Sequence, residues 1–179
     1  LSHFNAVGDR IATASEPSDW EAIYNDLVTW GLDLYRYSDH GLLATQDEQM
    51  AAANLALGKY VRRRYQDWVH GAEDAPLLSP DVYAHLVEPE VQRSEQVLWV
   101  IIDCMRLDQW RMVEPLLEPH FHLERRTYWS ILPTATPYAR NALFAGLYPL
   151  EIARGYPQLW HDGTDRKSTR LNSSHYRTS

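Results

Sequence analysis

Apolar residues recur at helical spacing through the first part of the chain. Trp20, Ile23, Tyr24, Leu27, Trp30 and Leu34 form one stripe. It predicts a helix that opens at Ser18 and ends near Ser38, before Gly41. Pro17 precedes the start, and Ser18 with Glu21 has the S-x-x-E spacing of a capping box. A second stripe runs through Met50, Ala53, Leu57, Tyr60, Val61, Tyr65 and Trp68. A second capping box, Thr45 with Glu48, opens it, and Gly71 is its natural stop. Two long helices joined by a short polar turn are expected to pack as an antiparallel pair. Trp20, Leu27, Leu34, Leu57, Tyr65 and Trp68 should be buried between them. Ser79-Pro80-Asp81 starts a third, shorter helix that must end before Pro89. Residues 1–15 carry no decisive pattern and read either as the end of a longer helix or as a loose lead-in.

The pattern changes after Gln96. Val97-Leu98-Trp99-Val100-Ile101-Ile102 is continuous, apolar and β-branched, as in a strand buried on both faces. Leu107 to Leu117 reads as helix, stopped by Pro119. His120 to Ile131 alternates roughly, as a second strand would. Pro137 to Leu147 can form another helix. Strand, helix, strand, helix predicts the α/β class: a helical bundle followed by the start of a domain with a mainly parallel sheet. The expected division is 1–95 helical bundle or linker, 96–164 α/β domain, and 165–179 tail.

The tail stands apart in composition. Residues Asp165 to His175 match, over eleven residues, one translated frame of a common sequencing-library adapter, so 165–179 is read as adapter-derived and left out of fold reasoning. It carries four basic residues (Arg166, Lys167, Arg170, Arg177) and one acidic residue, Asp165. The rest of the chain then holds 13 basic against 23 acidic residues, a net of −10. A chain this acidic is not expected to bind nucleic acid generally. Hydrophobic residues at 45% and charged residues at 23% exclude disorder as the overall state. Cys104 is the one cysteine, so no internal disulfide or cysteine-rich zinc site is expected. No apolar stretch approaches the roughly 20 residues that span a bilayer. No signal peptide is visible, and a cytoplasmic location is expected. The chain opens at Leu1 rather than Met and is read as part of a longer protein.

Two segments can carry chemistry. Asp103 follows the predicted buried strand, and ligands of open α/β sheets bind beyond the carboxyl ends of strands. A carboxylate there suits a metal ion; alternatively it caps the next helix. The second segment is Leu132-Pro133-Thr134-Ala135-Thr136-Pro137-Tyr138-Ala139-Arg140-Asn141. Thr136 before Pro137 reads as an N-cap, which sets its hydroxyl at the positive end of a helix dipole. That is either plain capping or the setting of a nucleophile that attacks phosphorus. Cys104 reads as a packed small side chain or, less simply, a redox or metal group. His120 and His122 share one side of the predicted strand, at solvent or at a metal. Arg62-Arg63-Arg64 is expected to pair with acidic neighbours or face water.

Read together, VLWVIIDCMRLDQW and SILPTATPYARNALFAGLYPLEI resemble the PglZ domain of the alkaline phosphatase superfamily. Upstream, the helical pair, Tyr65-Gln66-Asp67-Trp68 and the Asp74-Ala75-Pro76 turn look like the middle region of PorX-type response regulators. The resemblance runs over about Leu1 to Trp160. It implies a two-component regulator whose output domain is a zinc-dependent phosphodiesterase or phosphatase acting on a phosphodiester or other phosphate-containing substrate. It implies two zinc ions, with Asp103 as the first metal ligand. It implies Thr136 as the metal-bound nucleophile, with Thr134 as runner-up. Arg140 and Asn141 match the motif too, either as binders of substrate phosphate or as a structural pair. The receiver domain is absent from this sequence, and the remaining zinc ligands are expected among later Asp and His residues, so the chain by itself is expected to be inactive. The alternative implied by the same resemblance is a non-enzymatic signalling module that forms a homodimer or docks a signalling partner, for example in regulation of type IX secretion. Neither reading inserts into a membrane.

Overall fold

The computed structural model describes residues 2–37 and 40–160. In chain order these form α1 (Ser2–Thr13), α2 (Pro17–Arg36), α3 (His40–Val69), α4 (Glu88–Arg93), α5 (Leu107–Leu117), α6 (Thr136–Ala145) and α7 (Pro149–Gly155), with a π turn, Tyr83–Val87, leading into α4. The chain divides into two compact units. One is Leu1–Pro76 with Ile102–Thr127; the other is Leu77–Ile101 with the residues from Tyr128 onward.

In the first unit α1, α2 and α3 pack on one another, and α5 packs on α2. The order of contacts shows that α2 and α3 are antiparallel. Gln46, early in α3, donates its Nε2–H to the Leu27 carbonyl at 3.3 Å. Trp20, early in α2, meets Tyr60, late in α3, with ring centroids 5.6 Å apart. Tyr60 in turn meets Trp68 at 5.6 Å. Trp20, Ile23, Leu27, Val28, Leu34, Ala53, Tyr60 and Trp68 are buried, joined by Val7 of α1. Each such large side chain contributes about 1.5–3 kcal/mol of apolar burial. Of the six residues expected there, Leu57 and Tyr65 are half-buried rather than buried. Gly31 lets α3 approach: a Cβ there would lie 3.1 Å from Gln46 Nε2. An ion pair between Arg10 and Asp26 ties α1 to α2, and one between Arg64 and Asp74 ties α3 to the turn after it.

Helix starts differ from the capping-box reading. The N-cap of α2 is Glu16 and Pro17 occupies the first turn. Asp19 reaches back, accepting the amide hydrogens of Ser15 and Glu16, each at 2.9 Å. Ser18 and Glu21 are therefore inside the helix. Helix α3 already runs from His40, so Thr45 and Glu48 are interior as well. The predicted end at Ser38 lies outside the described residues, as does the whole tail from Asp165.

The second unit has its own core of Leu78, Val82, Ile131, Ala142, Leu143 and Ile152. The helix expected to stop before Pro89 continues to Arg93. The π turn ends at Val87, and Pro89 falls in the first turn of α4, where a missing amide hydrogen costs nothing. Helix α6 ends at Gly146, whose φ of 64° is the left-handed conformation that favours glycine there.

The α/β reading is overturned. Among the described residues no strand or sheet forms; one isolated parallel bridge joins Leu78 to Trp129. The apolar run at 97–102 takes no regular secondary structure and makes no ladder, and Leu98 is 88% exposed, Val100 64% and Ile102 61%. An apolar, β-branched run expresses a preference for a pleated, covered surface; a strand exists only when a neighbour takes its amides and carbonyls. The expected neighbour, 120–131, forms no strand either, and its one bridge, at Trp129, goes to Leu78 instead.

Candidate active site

Asp103 belongs to the first unit and Thr136, Arg140 and Asn141 to the second. Asp103 and Cys104 form an exposed turn in which Cys104 takes a φ of 61°. The Cys104 Sγ–H points at Asp103 Oδ1 across 3.6 Å. Cys104 is thus exposed, not the packed side chain expected. Asp103 does not cap α5. The cap is Arg106, whose amide donates to Gln109 Oε1 at 3.0 Å. The Arg106 guanidinium grips both oxygens of Asp108, at 2.9 and 2.7 Å. That fork holds the Asp108 carboxyl below the usual carboxylate range and raises Arg106 further.

Thr136 is the first residue of α6, not its cap. Ala135 is the N-cap, and its carbonyl accepts the amides of Tyr138 at 2.9 Å and Ala139 at 3.0 Å. Pro137 spends no amide at this end. Thr134 is exposed, two residues ahead of the helix. Thr136 and Arg140, four apart, share a helix face; Asn141 is one position further round. Asn141 Oδ1 is buried and accepts no hydrogen bond among the described residues. The Tyr138 and Trp160 rings meet at a tilt of 53°, with centroids 5.8 Å apart.

What positions the Thr-bearing loop was not visible in the sequence. Ser79 is completely buried, and its Oγ accepts the Ile131 amide at 3.1 Å. Two residues earlier, the Trp129 amide donates to the Leu77 carbonyl at 2.7 Å. Chain 77–79 thereby pins chain 129–131 just before the 132–135 loop. In sequence Ser79 presents only a helix start; a serine ahead of a proline gives no signal that it serves a backbone 52 residues away.

The zinc reading meets a limit here. Among the described residues no group of three or more His, Cys, Asp or Glu side chains is placed to hold a metal ion. A zinc site takes three or four protein donors, and Asp103 and Thr136 supply two at most. His120 and His122 are exposed and belong to no such group. Arg62 and Arg63 face solvent while Arg64 pairs with Asp74. No described helix is long and apolar enough to cross a membrane.

Two family matches accompany this geometry. Residues 1–69 match the PorX response regulator linker domain. Residues 82–178 match the BREX system PglZ alkaline phosphatase-like domain, over more than half of the chain and through residues 165–178. A search of curated proteins found no match. The chain belongs to the PglZ family, carrying a PorX-type linker ahead of its alkaline phosphatase-like region, as a response-regulator-like protein does.

Proposed function

We propose that the protein is a cytoplasmic two-component regulator whose PglZ region hydrolyses phosphodiesters or phosphate monoesters with Thr136 as nucleophile. The match over residues 82–178 carries this reading. The start of α6 supports it. Thr136 stands at the positive end of a ten-residue helix, and the capping role that would otherwise explain the residue is filled by Ala135. The Thr136 oxygen forms a bond to phosphorus and its proton leaves to solvent. The ester oxygen departs with its electron pair and takes up a proton; water then releases the phosphoryl group from threonine. Arg140, four residues on and on the same helix face, is the proposed binder of a phosphate oxygen through its guanidinium. Asp103 is the proposed metal ligand, with zinc the proposed ion.

Hydrolysis of bis(p-nitrophenyl) phosphate by the full-length protein tests this. Thr136→Val should remove nearly all turnover while folding survives, and Thr134→Val should be much milder. Asp103→Asn should weaken zinc binding, because it removes the charge the metal needs. Loss in the Thr134 variant with turnover kept in the Thr136 variant would move the nucleophile. The linker match favours a second reading, a signalling module without catalysis. A wild type inert towards a broad set of phosphodiesters with zinc supplied would select it.

A further inference from the structure

Helix α5 falls in the PglZ match, yet it packs on α2, which falls in the linker match. A chain of polar contacts crosses that boundary inside the first unit. Glu114 of α5 is only 4% exposed. Its Oε1 is 2.7 Å from Arg125 Nε, and its Oε2 is 3.5 Å from Arg111 Nη1. Arg111 also donates from Nη2 to Asn25 Oδ1 of α2 at 2.8 Å. Asn25 is held in turn by its Nδ2 bond to the Glu21 carbonyl at 2.8 Å. Glu21 Oε2 accepts the Thr127 hydroxyl at 2.6 Å. One turn of α2, Glu21 to Asn25, therefore grips the 107–127 segment at two places.

A buried carboxylate is stable only while its partners stay. Arg111 pairs with Glu114 on its own helix and with Asn25 on α2, so α5 cannot shift against α2 without breaking the Arg111–Asn25 bond. The Asp103 turn leads directly into α5. We propose that Asn25, Arg111, Glu114 and Arg125 form the coupling element through which the linker helices position the Asp103 turn. Arg111 and Glu114 are positioning residues in this scheme. The scheme rests on the proposed function only for why Asp103 matters.

The 179-residue chain has one cysteine, Cys104, beside Asp103, so a dye there reports on the turn directly. Amide hydrogen exchange reports on the helices. Asn25→Leu should accelerate exchange in α5 by about tenfold, leave α3 unchanged, and lower the dye's anisotropy. Asn25→Asp should keep α5 exchange much closer to the parent than Asn25→Leu does, because a carboxylate still accepts from Arg111 although it no longer donates to the Glu21 carbonyl. Unchanged α5 exchange and anisotropy in Asn25→Leu would overturn the proposal. Acceleration of α3 equal to that of α5, or an Asn25→Asp variant that behaves like Asn25→Leu, would overturn it as well. Should Asn25→Leu not fold, the exposed change Arg125→Gln decides: α5 must accelerate. No phosphate ester is involved, so this result stands or falls apart from catalysis.

Discussion

Helices α2 and α3, of 20 and 30 residues, bury long stripes against each other and need only local chain to find their partners. The second unit works with shorter pieces: α6 has 10 residues and α7 has 7. Its core closes through backbone contacts of distant segments, with Leu77, Leu78 and Ser79 meeting Trp129 and Ile131. Stability in the first unit lies in side-chain burial along helices. In the second a smaller apolar core is tied by a few points where distant segments meet, and the loop ahead of Thr136 follows directly on them.

The largest expected effect breaks the first unit. Leu27 is fully buried on α2. Leu27→Asp sets an unpaired charge against α3 and should cost about 3–5 kcal/mol. A large fall in the thermal midpoint, followed by circular dichroism, checks it. An unchanged midpoint would mean that the stripe does not face α3.

A smaller effect sharpens the contrast. Ser79→Ala leaves the buried Ile131 amide without its acceptor and should cost about 1–3 kcal/mol. Exchange should accelerate at Ile131 and the following loop, while α2 and α3 amides hold. Equal acceleration in α2 would show that the division of labour between the two units is wrong.

The smallest effect depends on pH. Backbone hydrogen bonds from Ser15 and Glu16 lower the Asp19 pKa from its ordinary value of 3.8. A depressed folded-state pKa stabilises the fold above the unfolded value and loses that contribution as pH falls through the folded one. Asp19→Asn should therefore differ from the parent at neutral pH. The gap should shrink below about 3.8 and close under the folded-state value. A gap independent of pH would remove the charge from the account of the α2 start.

The legible part of the sequence was its long periodicity. The stripes placed α2 and α3 because repeated burial at 3.6-residue spacing is a strong local signal. The α2 start was misplaced because its back-reaching side chain, Asp19, serves a cap residue, Glu16, that is not serine or threonine, whereas α5 spans the predicted Leu107–Leu117. The sheet was misread because 97–102 shows strand preference without naming a neighbour. Thr136 lay one position from its assigned place, and the position matters: it became the first helical residue rather than the cap. The Ser79–Ile131 and Asn25–Arg111 links were illegible because each joins residues far apart in the chain, beyond the reach of any spacing rule; the Arg111–Glu114 pair has ordinary i,i+3 helix spacing.

Attack of Thr136 on phosphorus is tested most directly by quenching the full-length protein during turnover of a phosphodiester and locating the adduct by peptide mass spectrometry. The expected adduct is a phosphate on Thr136 that still carries the remaining ester group, absent in Thr136→Val. An adduct on Thr134, or sustained hydrolysis by Thr136→Val, would contradict it.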